Sequence, residues 1–371
     1  MAWKINKRRK RILFSLLVVV FLSTGFITWN TLNYKKIIKK NLSGWVSKAT
    51  NGKYHASVTD INISLFTRQI TITGIKVWPD TNIINHFKET GRTHNISVTL
   101  AIPKLQLSRI EWFKLLSDKE LACGNVRIWQ PDVLIISKQR IPDSLQIRPD
   151  KKKSPAINKI LAHTVDIMQP DIVFRSFNLE NDSFDCKLIG GNAVFNKWFL
   201  CEDKNDTSRF LFAKSCSIDS SGFSFCNPAT LYEFRTPYFH FNSDQMQLNI
   251  NDLVIAPIVN RETYYVIKGH RATILNLKIA RINATGFDGR KLIHSAGFCA
   301  SDVTITDPAM GLFYNYLIKS RPENMMGLDP HQLLHKSKVK LNIKNISVNN
   351  GSLVYTELNR MFLLIQRTQS I

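Results

Sequence analysis

One apolar pattern recurs along the chain and changes parity at a fixed point. Val126-x-Ile128-x-x-Pro131-x-Val133-x-Ile135 returns as Val165-x-Ile167-x-x-Pro170-x-Ile172-x-Phe174 and as Val303-x-Ile305-x-x-Pro308-x-Met310-x-Leu312. A looser copy starts at Phe223 around Pro228, and another at Ile346 puts Gly351 at the proline position. In a regular strand a one-residue change of parity sends the second half of the side chains to the opposite face. An extra residue taken up as a bulge restores one face and bends the strand, and proline or glycine is tolerated there. The alternative is a tight hairpin at Gln130-Pro131-Asp132. Either way the pattern predicts a curved sheet with one apolar surface. Val126, Ile128, Val133, Ile135, Val165, Ile167, Val303, Ile305, Met310 and Leu312 are candidates for lining it, although residues of a closed core would show the same pattern.

The rest of the body reads the same way. Ile61, Ile63 and Leu65, then Met246, Leu248 and Ile250, then Val339, Leu341 and Ile343 alternate with polar neighbours. Period two with one oily face means half-buried strands. The expected fold is therefore mainly β, an elongated, curved antiparallel sheet with a few short helices, placed at Glu111–Ser117, Ala156–His163 and Gln332–Lys336. Two proline- and charge-rich stretches, near 138–156 and 318–330, read as loops.

The N-terminus has a different design. Lys4, Lys7, Arg8, Arg9, Lys10 and Arg11 form a basic tail over residues 1–11, followed by a charge-free run from Ile12 to Tyr34. As a helix that run spans roughly 34 Å, enough for a hydrocarbon core of about 30 Å. Apolar residues resume at Phe26 after the small Ser23-Thr24-Gly25, which favours an uncleaved anchor over a signal peptide. The positive tail places the N-terminus in the cytoplasm and the body, 53–371, on the far side. Between them, residues 35–52 keep helical spacing through Ile37, Ile38, Leu42, Trp45 and Val46, and Gly52 is a natural stop. Lys35, Lys36, Lys39 and Lys40 make this segment a candidate for an anionic membrane surface; packing on the following sheet is the alternative.

The chain carries 50 Lys plus Arg against 28 Asp plus Glu. Two of its three basic clusters flank the apolar run, so anionic lipid fits better than nucleic acid, which calls for a basic patch interleaved with aromatics. No cysteine pair forms CxxC, His331 and His335 lack the glutamate of a metalloprotease helix, and no phosphate loop or nucleophile elbow occurs, so neither an enzyme, a metal nor a cofactor is expected. Cys216 and Cys226 flank Ser220-Ser221-Gly222 and would face each other across a hairpin there, as a disulfide or as two buried thiols.

In its order of parts the chain resembles the bacterial AsmA-like family. A basic tail and anchor precede "YHASVTDINISLFTRQITITGIKVW". Then "LQLSRIEWFKLLSDKELACGNVRIWQPDVLI" gives strand, short helix and strand, a design repeated by "LKIARINATGFDGRKLI…VTITDPAMGLF". The stretch "LLHKSKVKLNIKNISVNNGSLVYTEL" matches the family's strand ending in a glycine turn and a tyrosine, while the middle, from roughly Asn181 to Pro257, matches least. The resemblance implies an inner-membrane-anchored periplasmic β-groove that carries phospholipid acyl chains or supports outer-membrane assembly, with envelope proteins as further partners. A membrane-anchored β-sandwich that binds proteins and carries no lipid is the competing expectation.

Overall fold

The computed structural model describes residues 43–44, 46–48, 50, 52–80, 95–118, 120–138, 159–177, 183–201, 209–295, 297–319, 340–359 and 365–370. The expected anchor at 12–34, its basic flanks and the helix expected at Gln332–Lys336 lie outside them. Among the described residues no helix is long and apolar enough to cross a membrane. Ser43, Gly44 and Val46 to Lys48 are helical, and Gly52 ends this piece with φ +78° and an N–H that donates to the Ser47 carbonyl.

The fold is mainly β, with few short helices. All the strands belong to one sheet. They are β1 (Tyr54–Ser57), β2 (Asp60–Ser64), β3 (Gln69–Pro79), β4 (Asn95–Ser108), β5 (Glu120–Trp129), β6 (Asp132–Lys138), β7 (Lys159–Met168), β8 (Asp171–Phe177), β9 (Ser183–Ile189) and β10 (Asn192–Cys201). After these come β11 (Ser215–Ser220), β12 (Phe223–Asn227), β13 (Tyr232–Thr236), β14 (Tyr238–Asn242), β15 (Gln247–Pro257), β16 (Ile274–Thr285), β17 (Gly297–Asn315), β18 (Lys340–Asn349), β19 (Ser352–Leu358) and β20 (Ile365–Ser370). Among the described residues, the helices α1 (Trp112–Ser117), α2 (Arg261–Lys268) and α3 (Gly289–Ser295) join them. The helix expected at Ala156–His163 is not formed; Lys159 to His163 belong to β7, paired on both sides with β5 and β10.

Many rungs of the ladder consist of two strands in line. The in-line pair β5/β6 shares the neighbour β4, and β7/β8, β10/β9, β11/β12 and β14/β13 follow in turn before β15, β16, β17, the pair β18/β19, and β20. The sheet is not purely antiparallel. β5 pairs with β7, β6 with β8, and β17 with both β18 and β19 in parallel, so Val126 faces Val165 and Val303 faces Ile346. Parallel neighbours need a long crossover connection. The two proline-rich stretches occupy those connections, at 139–158 and 320–339, outside the described residues.

The parity switch has a structural cause that is neither an isolated bulge nor a hairpin. Gln130 and Gln169 adopt φ of 47° and 49°, Asp307 and Asn350 51° and 55°, and Asp252 51°. Each stands just before the proline, glycine or leucine that opens the second half of its rung. Neighbouring strands make the step at the same level, and main-chain hydrogen bonds bridge it between them. Gln130 N–H donates to the Met168 carbonyl, Asp171 N–H to that of Pro131, and Gly190 N–H to that of Pro170. Pro131 and Pro170, which have no N–H, accept here, so the ladder loses no donor. In the central rungs buried hydroxyls replace the left-handed residue. Ser220 Oγ accepts from Gly222 N–H, and Thr236 Oγ1 accepts from Tyr238 N–H and donates to the Asn251 carbonyl. The looser copy at Phe223 is different: Asn227-Pro228 starts a turn, and β12 and β13 form a hairpin.

β3 to β8 and β15 to β19 are two copies of one design. Each has an antiparallel pair, a short helix, an antiparallel return and a parallel rung. Ile110 N–H donates to the Arg68 carbonyl, and Phe287 N–H to that of Met246; Arg68 and Met246 are both left-handed residues just before β3 and β15. Glu111 N–H donates to the Ala122 carbonyl, and Asp288 N–H to that of Cys299.

Candidate functional site

The step divides one face of the sheet into two halves with different surroundings. In the half before it, Val165 and Val303 are buried in a cluster with Cys123, Ala162, Ala193, Phe195, Cys216, Phe241 and Ala284, and Val126, Ile128, Ile167 and Ile305 pack against it. Connecting segments fold over this half. Ile110 and Trp112 come from the β4–α1 junction, Phe210 and Ala213 from the β10–β11 connection, and Phe287 from the β16–α3 connection. Phe241 stacks edge-on with Phe287 at 5.6 Å. These six predicted lining residues are therefore brought together, but as a core.

In the half beyond the step the register aligns Val98, Ile135, Phe174, Cys186, Phe225, Phe234, Ile255, Leu277, Met310 and Leu353 across successive rungs. Every member is apolar or a thiol, and none is buried; Met310 is 37% exposed and the others are half-buried. At about 4.8 Å per rung the stripe is roughly 43 Å long. The parallel stripe next to the step holds Leu100, Val133, Ile172, Leu188 and Phe223, half-buried, then Thr236, Leu253 and Ile279, buried. On the far side Leu312 pairs with Leu275 and Tyr355. Of the predicted residues, Val133, Ile135, Met310 and Leu312 thus fall on this open half. The aromatic members Phe174, Phe225 and Phe234 were missed as lining residues. The signal was present in Ile172-x-Phe174 and Phe223-x-Phe225, which alternate as the first motif copy does.

This half offers mainly apolar contact. Burial pushes up the thiol of Cys186 and the phenol of Tyr355 on this half. The opposite side of the same strands is mixed: the row behind the stripe holds Leu134, Val173 and Val254 among Thr99, Lys187, Arg235 and Lys278, of which Lys187, Arg235 and Lys278 are exposed. There Arg175 donates Nε and Nη2 to the two carboxylate oxygens of Asp185, each at 2.9 Å, and this guanidinium holds the Asp185 carboxyl below its usual range.

Cys216 and Cys226 do not face each other. They lie on β11 and β12, which run in line, with Cys216 opposite Phe195 and Cys226 opposite Asp185, and both are free thiols. The hairpin that would have paired them is replaced by the Ser220–Gly222 step. Lys35, Lys36, Lys39 and Lys40 lie outside the described residues. No protein-family model matches the chain, and a search of curated proteins finds no significant match.

Proposed function

We propose that this chain is an inner-membrane-anchored envelope protein whose β-sheet is a curved, elongated groove, and that the groove passively carries phospholipid acyl chains between membranes or for outer-membrane biogenesis. The observation that carries this reading is the ten-residue stripe from Val98 to Leu353, apolar throughout and nowhere buried. Such a stripe running across the strands gives an acyl chain a track along the sheet. Burying each methylene there contributes about 0.8 kcal/mol, with no polar group to hold the lipid at any one rung. Apolar surface of this extent is a mark of a binding site. The left-handed steps repeated at one level favour a sheet that bends along its whole length. A sandwich would bury a second layer of large side chains, whereas among the described residues Ile110, Ile274 and Ser220 are the largest side chains to be fully buried. The AsmA-like order of parts points the same way, and the apolar run at 12–34 with its basic flanks supplies the anchor.

The test is photocrosslinking of the full chain in cells, with a benzophenone amino acid placed at Phe234, at Phe174, or at Arg235 on the opposite side. Phospholipid adducts are expected at 234 and 174 and not at 235. Equal yields at 234 and 235, or none at 234 and 174, would overturn the groove.

A further inference from the structure

A second apolar hollow lies on the side of the sheet opposite the stripe. Helix α2 is capped by Asn260, whose side chain accepts from Thr263 N–H at 2.8 Å, and it ends at the left-handed Gly269. It buries Tyr264 and Tyr265 against Ile274 and Phe313. Ile274 and Phe313 are paired across β16 and β17 and alternate with Leu275 and Leu312, so they face the other way. Between α2 and the ends of β17 and β19 is a hollow of about 440 Å³ lined by Arg261, Glu262, Tyr265, Val266, Phe313, Asn315, Ile318 and Leu358. That volume suits a small amphiphile, and mostly apolar walls with a few polar groups are the usual make-up of such sites.

Two polar groups single out the ligand. Tyr265 is 6% exposed, and its Oη, near the Asn315 main chain, is buried with no hydrogen-bond partner. A buried hydroxyl is normally satisfied, so this one is a vacancy for an acceptor or a donor. The Arg261 guanidinium sits over the Phe313 ring at 4.2 Å, on the same wall. Glu262 is exposed and borders the hollow too, which leaves the Arg261–Tyr265 side for an anion. Outside, Val266 at 80%, Ile267 at 55% and Leu317 at 47% exposure continue the apolar wall to the surface.

We propose that this hollow binds a long-chain fatty acid, its carboxylate held by Arg261 and Tyr265 Oη and its chain lying on Val266, Phe313, Ile318 and Leu358. The site is independent of the groove, because it uses the opposite face and a headgroup contact that the stripe lacks. The experiment uses the full chain in phosphatidylcholine nanodiscs, with diazirine-bearing palmitic acid as the probe and peptide mapping of the adducts. Adducts are expected on 261–268 and 313–319. They are suppressed by excess palmitic acid but not by palmityl alcohol, which lacks the charge. Arg261→Gln, a surface change, lowers their yield about tenfold at sub-saturating probe, as loss of a charge-assisted contact does; Tyr265→Phe lowers it a few-fold. Competition by the alcohol as strong as by the acid, or an unchanged yield in Arg261→Gln, overturns the proposal. Adducts confined to the stripe overturn it as well while leaving the groove standing; the groove stands or falls on phospholipid adducts at 234 and 174, which this probe does not read.

Discussion

β7 and β18 hold the same place in the two copies of the repeated design, yet their apolar side chains meet opposite fates. Val165 on β7 pairs with Val126 on one side and Phe195 on the other, and is 8% exposed. Its counterpart Ile346 on β18 pairs with Val303, has no described strand on its other side, and is 60% exposed. Local sequence, backbone and parallel register agree in the two; the next rung makes the difference. Periodicity states which way a side chain points. What covers that face is decided by segments far away in sequence.

The strongest way to break the comparison is to place a charge at both positions. Val165→Asp buries a carboxylate in an apolar cluster with no partner and should lower stability by at least about 3 kcal/mol, read as a shifted denaturant midpoint of the full chain. Ile346→Asp should change it by less than about 0.5 kcal/mol, as surface substitutions do. If the two variants lose stability equally, the β18 edge is covered in solution and the contrast between the copies is false.

A smaller effect separates the copies at their helix junctions. In the first, Arg109 is left-handed and Gly124 lies under its side chain, where an added Cβ would come within 2.8 Å of Arg109 Cδ. In the second the small residue has changed sides. Gly286 takes the left-handed place with φ +63°, and a Cβ there would overlap the Ser301 side chain. Gly124→Ala should cost about 1–2 kcal/mol by overpacking and be largely relieved by Arg109→Gly. Gly286→Ala should cost about 2–3 kcal/mol, and Ser301→Gly should relieve only part of it, because the left-handed penalty of roughly 1–2 kcal/mol stays. Double-mutant cycles by thermal or chemical unfolding measure both couplings. Equal rescue in the two copies would mean that backbone conformation plays no part.

Much of the strand content was legible, because alternation is a local property. The parity switch was legible too, and three motif copies and the glycine variant fall at the step. How the step is made was not, since the left-handed Gln130, Gln169 and Asp307 are ordinary residues whose conformation is imposed by neighbouring strands stepping at the same level. The two parallel rungs escaped notice because a crossover of polar residues reads like any loop. Helix α2 was missed although Asn260 and Gly269 are a cap and a stop, because its buried tyrosines offer so short an apolar face. For the site, the motif gives no sign of which half is covered: six of the ten candidates lie in the cluster under side chains such as Ile110, Phe210 and Phe287, contributed by connections that carry no motif.

The finest distinction between the copies is one of thiols. β5 reads Ala122-Cys123 and β17 reads Cys299-Ala300, so equivalent positions exchange a cysteine for an alanine. Cys123 belongs to the buried cluster, where desolvation pushes its thiol up to about 11, while Cys299 is half-buried. Only the thiolate reacts with iodoacetamide. At pH 8 the folded chain should therefore alkylate at Cys299 well before Cys123, a difference that vanishes in denaturant and is read by peptide mapping over time. The sign for stability follows. Burial favours the neutral thiol, so nothing changes below about pH 9, where the unfolded thiol begins to ionise; above it the unfolded chain sheds the proton first, and stability falls as pH rises towards about 11. Replacing Cys123 by Ala, the residue that already fills the equivalent place in the second copy, should remove that alkaline loss with little effect at neutral pH. Rapid labelling of Cys123 at pH 8 would show that the covered half of the face opens as readily as the exposed one.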